Sequence, residues 1–181
     1  MQTRVGYAGG TKNNPTYRQM GDHTETVELD FDPTLVSFEQ LLDVFWSHHR
    51  PRKDGYGGRQ YMSLVLYRNE KQKDQATIVK NRIEKRLKTE LETELKPFEH
   101  FFLAEEKHQK YYLKRYKQAY ESVLQLFQSH DAFVKSTIAA RLNGFVREFG
   151  TLGELNEEIH YWGLDDHDTG LLKETINKLK W

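Results

Sequence analysis

A carboxylate set among apolar residues is a candidate proton donor, and the periodicity of this chain singles out Glu25. In residues 25–31 the apolar Val27, Leu29 and Phe31 alternate with Thr26, Glu28 and Asp30, the period of a half-buried strand. Glu25 shares the apolar parity, which points it toward neighbours that would exclude water and keep it protonated. A solvated edge carboxylate is the other reading, since glutamate is seldom buried without a partner. Tyr17 ends an Asn-Pro-Thr-Tyr turn and Tyr61 opens a second alternating run. Both are loop-proximal placements of the kind that carry binding groups, although packing accounts for most tyrosines in a chain holding ten. The 181 residues contain no cysteine, which removes thiolate nucleophiles, disulfides and thiolate zinc sites from this chain.

Other residue types point to less. His23, His48, His49, His100 and His108 form no HxxxH or HxH pair, and adjacent His48 and His49 would project about 100° apart on a helix. No metal site is expected. Gly9-Gly10 and Gly57-Gly58 sit in neither a GxxxxGK nor a GxGxxG frame, and are read as turns that bring backbone close to a pocket.

Strand and helix patterns alternate, which predicts an α/β or α+β fold with helices packed on a mixed sheet. Ser37 and Gln40 form a capping box ahead of Phe38, Leu41, Leu42, Phe45 and Trp46, whose spacing predicts a helix. Residues 60–67 alternate, with Met62, Leu64 and Leu66 on one face and Tyr61, Val65 and Tyr67 on the other. The charged stretch from Glu70 to Lys88 reads as a solvated helix with Ala76, Val79, Ile83 and Leu87 inward. Residues 90–95 alternate again and are read as a strand. Beyond Tyr116 the apolar spacing is helical, punctuated by Gly150 and Gly153.

Lys plus Arg equals Asp plus Glu at 27 each, so neither nucleic acid nor an anionic membrane is an expected partner. No apolar run approaches the roughly 18 residues of a spanning helix, and residues 1–10 lack a signal peptide's apolar stretch. The cytoplasm is the expected compartment, with mitochondrial or other targeting open should a further N-terminal segment exist.

The segment TRVGYAGGTKNNPTY followed by His23-Thr24-Glu25 resembles the peptide methionine sulfoxide reductase A family. Asp32-Pro33 matches that family's YDP, Phe45-Trp46 with His49 its FWxxHDP, and Gln60-Tyr61 with Ser63 its QYRS. Residues 93–109, TELKPFEHFFLAEEKHQ, match its TEI...P...FY.AEDYHQ. Five motifs in order cover about the first 115 residues, and no match is visible from Tyr116 onward. The expected organisation is therefore a reductase-like domain over 1–115, lacking the family's first strand and first helix, and a helical extension over 116–181. A sheet without that strand should expose strand edges and apolar surface.

The resemblance implies reduction of methionine sulfoxide in proteins, a repair of oxidative damage with thioredoxin or another thiol reductant as electron donor and no bound cofactor. It assigns Glu25 as proton donor and Tyr17 and Tyr61 as hydrogen-bond donors to the sulfoxide oxygen and catalytic water, the three forming the substrate-binding site. The family's nucleophilic cysteine, in a GCFWG motif, is absent, so this chain is expected to be inactive as it stands. Two further departures are a shorter interval from Tyr17 to Glu25, and Tyr56 where the family carries an aspartate, with Asp54 near but out of register. The alternative is a non-catalytic isoform or pseudoenzyme acting as a binding or interaction module.

Overall fold

The computed structural model describes residues 1–49, 51 and 58–179. Tyr56, Asp54 and Gly57, singled out above, lie outside the described residues. The chain forms two compact units, Val5–Glu105 and a second composed of Met1–Arg4 with Glu106–Trp181.

In the first unit the strands form two small sheets instead of one mixed sheet. β1 (Gln2–Ala8) lies between β2 (Thr24–Asp30) and β5 (Phe101–Leu103). It pairs with β5 in antiparallel register, Gly6 opposite Leu103 and Ala8 opposite Phe101. β3 (Leu64–Tyr67) pairs in parallel with β4 (Glu94–Pro97), Leu64 opposite Glu94. Parallel neighbours need a crossover, which α2 (Glu70–Leu87) supplies. Asn69 starts α2 by accepting the Gln72 N–H, and Lys88 ends it in the left-handed conformation at φ 52°.

α1 (Phe38–His48) carries the expected capping box, with Ser37 Oγ accepting the Gln40 N–H and Gln40 Oε1 accepting the Ser37 N–H. It buries Leu42 and Trp46 against Ala76, Val79 and Ile83 of α2, with Val65 and Leu91 closing the cluster. Arg82 donates to both Asp43 oxygens at 2.7 Å across the exposed side of the helix pair. A chain of side-chain hydrogen bonds runs beneath these helices. Trp46 Nε1 donates to Thr93 Oγ1 at 2.8 Å, Thr93 and Ser63 hydroxyls meet at 2.8 Å, and Ser63 Oγ meets His49 Nε2 at 2.7 Å. His49 Nδ1 faces the Phe45 carbonyl, so it carries the ring proton and Nε2 accepts from Ser63.

Three expectations need correction. Tyr61 does not open a strand: residues 59–61 make a single 3-10 turn and β3 begins at Leu64, with Leu64 and Val65 both buried, so neither face of that run is solvated. The apolar parity of β2 is the more open one, since Val27 is 56% exposed. Leu87, expected inward, is exposed because α2 runs on past Ile83, its last buried residue.

The second unit is helical around Phe133, which Tyr120 and Phe127 meet edge-on at 5.5 and 5.6 Å. Short helices α3 (Tyr111–Lys114), α4 (Lys117–Leu124) and α5 (His130–Val134) precede α6 (Thr137–Phe145), α7 (Leu152–Glu158) and α8 (Asp166–Lys178). Ser129, Ser136, Thr151 and Asp165 cap the last four. Gly150 is a turn at φ +94°, whereas Gly153 lies inside α7 and does not punctuate the chain. Leu113, Leu142, Leu155, Ile159 and Ile176 fill the core, and Arg141 clamps Glu158 through two bonds of 2.6 and 2.7 Å. Among the described residues, no helix is long and apolar enough to cross a membrane.

Candidate active site

The loop from Gly9 to His23 carries Tyr17, and its course is fixed by backbone contacts that only small residues permit. Gly9 has φ +77°, and a Cβ on Gly10 would lie 2.5 Å from the His23 nitrogen. The Gly10 N–H bonds His23 Nδ1 at 3.1 Å, which leaves the proton on Nε2 to donate to the Lys12 carbonyl at 2.7 Å. Asp22 accepts from Thr11 N, Thr11 Oγ1 and Lys12 N. The Thr11 backbone bond, foremost among these, holds the Asp22 carboxyl down at about 2. The double glycine is thus a turn that closes on β2, as its sequence context indicated.

This arrangement brings Tyr17, Tyr61 and Glu25 together. Tyr17 Oη and Tyr61 Oη are 3.0 Å apart. Gln60 Nε2 donates to Tyr61 Oη at 3.0 Å and to Glu25 Oε1 at 2.7 Å, so one carboxamide links the carboxylate to the phenol pair. The shorter interval between Tyr17 and Glu25 does not separate them. One phenolic hydrogen is used between the tyrosines, so at most one remains for an external acceptor. The hydrogen bond with Tyr17 is the first cause that pushes the Tyr61 hydroxyl well above its ordinary value, followed by loss of water and the nearby Glu25 charge. The Tyr61 hydroxyl is therefore a neutral O–H donor at physiological pH.

Glu25 itself is exposed, which corrects the expectation of an apolar surround. The reason is the open odd-numbered face of β2. Glu25 borders a cavity of about 570 Å³ walled by β2, α1 and β3, including Val27, Leu29, Phe38, Phe45 and Met62. Tyr17 and Tyr61 do not line that cavity. Among the described residues, no cluster of three or more histidine, aspartate or glutamate side chains is placed to hold a metal ion.

Two residues at the site escaped the reading of the sequence. Gln60 stands in the matched QY pair, yet nothing in the string reveals that it spans to a strand 35 residues earlier. Glu105 accepts the Tyr17 N–H at 3.1 Å and also the Tyr7 hydroxyl. No spacing signal connects positions 88 residues apart.

Known proteins share this chain's sequence pattern and fold. The sequence profile described as peptide methionine sulfoxide reductase matches residues 1–142. The peptide methionine sulfoxide reductase of Drosophila melanogaster is 41% identical over 165 residues, covering 91% of this chain and 66% of that protein. The A5 reductase of Oryza sativa subsp. japonica is 36% identical over 169 residues, covering 88% of this chain and 65% of its own length. The chain thus spans a little under two thirds of these relatives. Among solved structures, methionine sulfoxide reductase A of Corynebacterium diphtheriae aligns with a TM-score of 0.52 and 28% identity, covering 62% of each chain. Reduced Mxr1 of Saccharomyces cerevisiae shares the fold, with a TM-score of 0.57 over 64% of this chain and 71% of that one. The similarity does not stop at Tyr116, since the profile continues through α5 and most of α6, where helical spacing alone gave no motif to match. This chain belongs to the peptide methionine sulfoxide reductase family.

Proposed function

We propose that the protein acts in peptide-methionine (S)-S-oxide reduction, returning oxidised methionine in proteins to methionine, and that this chain supplies the oxygen-handling half of the chemistry. The observation that carries this reading is the convergence of Tyr17, Tyr61, Gln60 and Glu25 in one hydrogen-bonded group. A sulfoxide oxygen becomes a good leaving group only when protonated, so a carboxyl group beside two phenol hydroxyls suits it. Glu25 gives the proton, and Tyr17 and Tyr61 hold the oxygen as its charge grows.

The step needs a thiolate, which these 181 residues do not contain. Its sulfur attacks the sulfoxide sulfur and takes the oxygen, becoming a sulfenic acid, while the methionine sulfur gains two electrons and leaves as the thioether. Two thiol equivalents from thioredoxin or a similar reductant then return the sulfenic acid to thiol, become a disulfide and release water. Removing such a nucleophile typically costs about 10⁶-fold in kcat.

The expected result is that the purified chain shows no turnover with dithiothreitol or thioredoxin, yet binds N-acetyl-methionine-(S)-sulfoxide amide with saturable shifts of the Tyr17 and Tyr61 ring signals. Turnover that survives a control for contaminating reductase, or no saturable binding, overturns it. The missing thiol also favours a second reading, a binding module for methionine-containing proteins. Preference for the methionine amide over its sulfoxide would support that one instead.

A further inference from the structure

Glu105 stands apart from the residues matched to the chemistry, but its carboxylate joins two of the elements that frame them. Oε1 accepts the Tyr17 backbone N–H at 3.1 Å, and Oε2 accepts the Tyr7 hydroxyl hydrogen. Tyr7 is a fixed point: it is 2% exposed on β1 and sits opposite Phe102 of β5. The chain just before Glu105 is fixed as well, because the Ala104 N–H bonds the Val5 carbonyl at 3.0 Å. Tyr17 lies instead in a loop, within a turn closed by the Thr16–Gln19 backbone pair. Burial, and then the Glu105 carboxylate itself, push the Tyr7 phenol well up from its ordinary value, so it remains a donor to that carboxylate. A charge-assisted hydrogen bond of this kind is shorter and stronger than one between neutral groups.

We propose that Glu105 is a positioning residue for Tyr17, its carboxylate clipping the Tyr17 backbone to the anchored phenol of Tyr7 and thereby setting where Tyr17 Oη meets Tyr61 Oη. Glu105 is placed to act through the Tyr17 backbone. The consequence for sulfoxide binding rests on the role proposed above for the two phenols, whereas the placement of the ring does not.

The test uses the full chain with ¹³C-labelled tyrosine and N-acetyl-methionine-(S)-sulfoxide amide as probe. Glu105→Ala should shift the Cζ signals of both Tyr17 and Tyr61 and weaken probe binding about tenfold, the loss of roughly one well-placed hydrogen bond. Glu105→Gln keeps an acceptor for the Tyr17 N–H and should restore binding to within about twofold. Adding Tyr17→Phe to Glu105→Ala should cost no more than Tyr17→Phe alone, a non-additivity that a merely structural role would not produce. If Glu105→Ala fails to fold, Tyr7→Phe removes the anchor hydroxyl and keeps the ring, and must move the same two Cζ signals. Unchanged Tyr17 and Tyr61 signals in the folded variants overturn the proposal. If the wild-type chain binds no probe, the sulfoxide reading falls and the ring signals alone decide whether Glu105 places Tyr17.

Discussion

Replacing Thr93 with valine keeps the side-chain shape and deletes one hydroxyl from the chain that runs from Trp46 to His49. Thr93 is 3% exposed, and its Oγ1 accepts the Trp46 indole N–H at 2.8 Å while meeting Ser63 Oγ at the same distance. With His49 Nε2 as the terminal acceptor, Ser63 donates to histidine and Thr93 donates to Ser63, so every hydroxyl in the line has one assigned direction. Thr93→Val therefore leaves a buried indole N–H without an acceptor, which costs about 1 to 3 kcal/mol, and removes a second bond worth about 1 kcal/mol. A total near 3 kcal/mol, at a urea slope of about 2 kcal/mol/M, lowers the unfolding midpoint by roughly 1.5 M. The assay follows the backbone amide signals of Val65 and Leu91 through a urea series, which reports on this unit alone, together with the Trp46 indole signal. Thr93→Ser keeps the hydroxyl and should lose only about 1 kcal/mol for the missing methyl. The reasoning is refuted if Thr93→Val stays within about 0.3 M of wild type while Thr93→Ser falls further, for then the methyl and not the hydroxyl matters. Because Ser63 follows the turn that carries Gln60 and Tyr61, Thr93→Val should also move the Tyr61 ring signal.

Asp22 holds its carboxyl at about 2 in the fold against an ordinary 3.8, so its contribution to stability is present above about pH 4 and is lost as pH falls through about 2. Asp22→Asn should flatten the decline of the urea midpoint across that window; an equal decline in both proteins would show that other carboxylates drive it. Gly10→Ala puts a Cβ 2.5 Å from the backbone nitrogen of His23, which must shift, and should lower stability by more than about 2 kcal/mol and alter the Tyr17 amide signal. A Gly10→Ala protein with wild-type midpoint and spectrum would mean that the loop is not held by this contact. Paired substitution Val27→Thr and Leu29→Lys acts on side chains that are 56% and 39% exposed, and should change the midpoint by less than about 1 kcal/mol while reducing self-association in solution-mass measurements. A large loss of stability with unchanged solution mass would place both residues in a packed interior instead.

How much of this was legible in the sequence depends on whether the signal was local. The capping box at Ser37 and Gln40 was, because a helix start is decided by a few consecutive residues, and it appears as read. The alternation in residues 25–31 located β2 but assigned the wrong face to the interior. Parity divides a strand into two faces, and only the neighbouring layers decide which is covered. The same gap explains Glu25, whose parity predicted an apolar surround that the open face of β2 does not provide. Residues 60–67 misled for a related reason: Leu64 and Val65 are both buried, so the alternation carried no face information, and Tyr61 belongs to the turn ahead of the strand.

Motif resemblance reached further than periodicity but supplied membership without geometry. Trp46, His49, Ser63 and Thr93 all lie in the matched motifs, and the structure joins them into one directed line of hydrogen bonds. Gln60 and Glu105 likewise stood inside matched segments with no role attached, because a carboxamide that spans to Glu25 and a carboxylate that spans to Tyr17 are defined by contacts 35 and 88 residues away. A phenol held in place by its own rotamer alone would swing through a wide arc, and a reaction that needs two hydroxyls on one oxygen is sensitive to displacements of about 1 Å. The residues that touch the substrate are therefore only part of what such a site must conserve in three dimensions. Acceptors that fix the backbone behind them, the role proposed for Glu105 at Tyr17, would set where the two matched tyrosine hydroxyls meet.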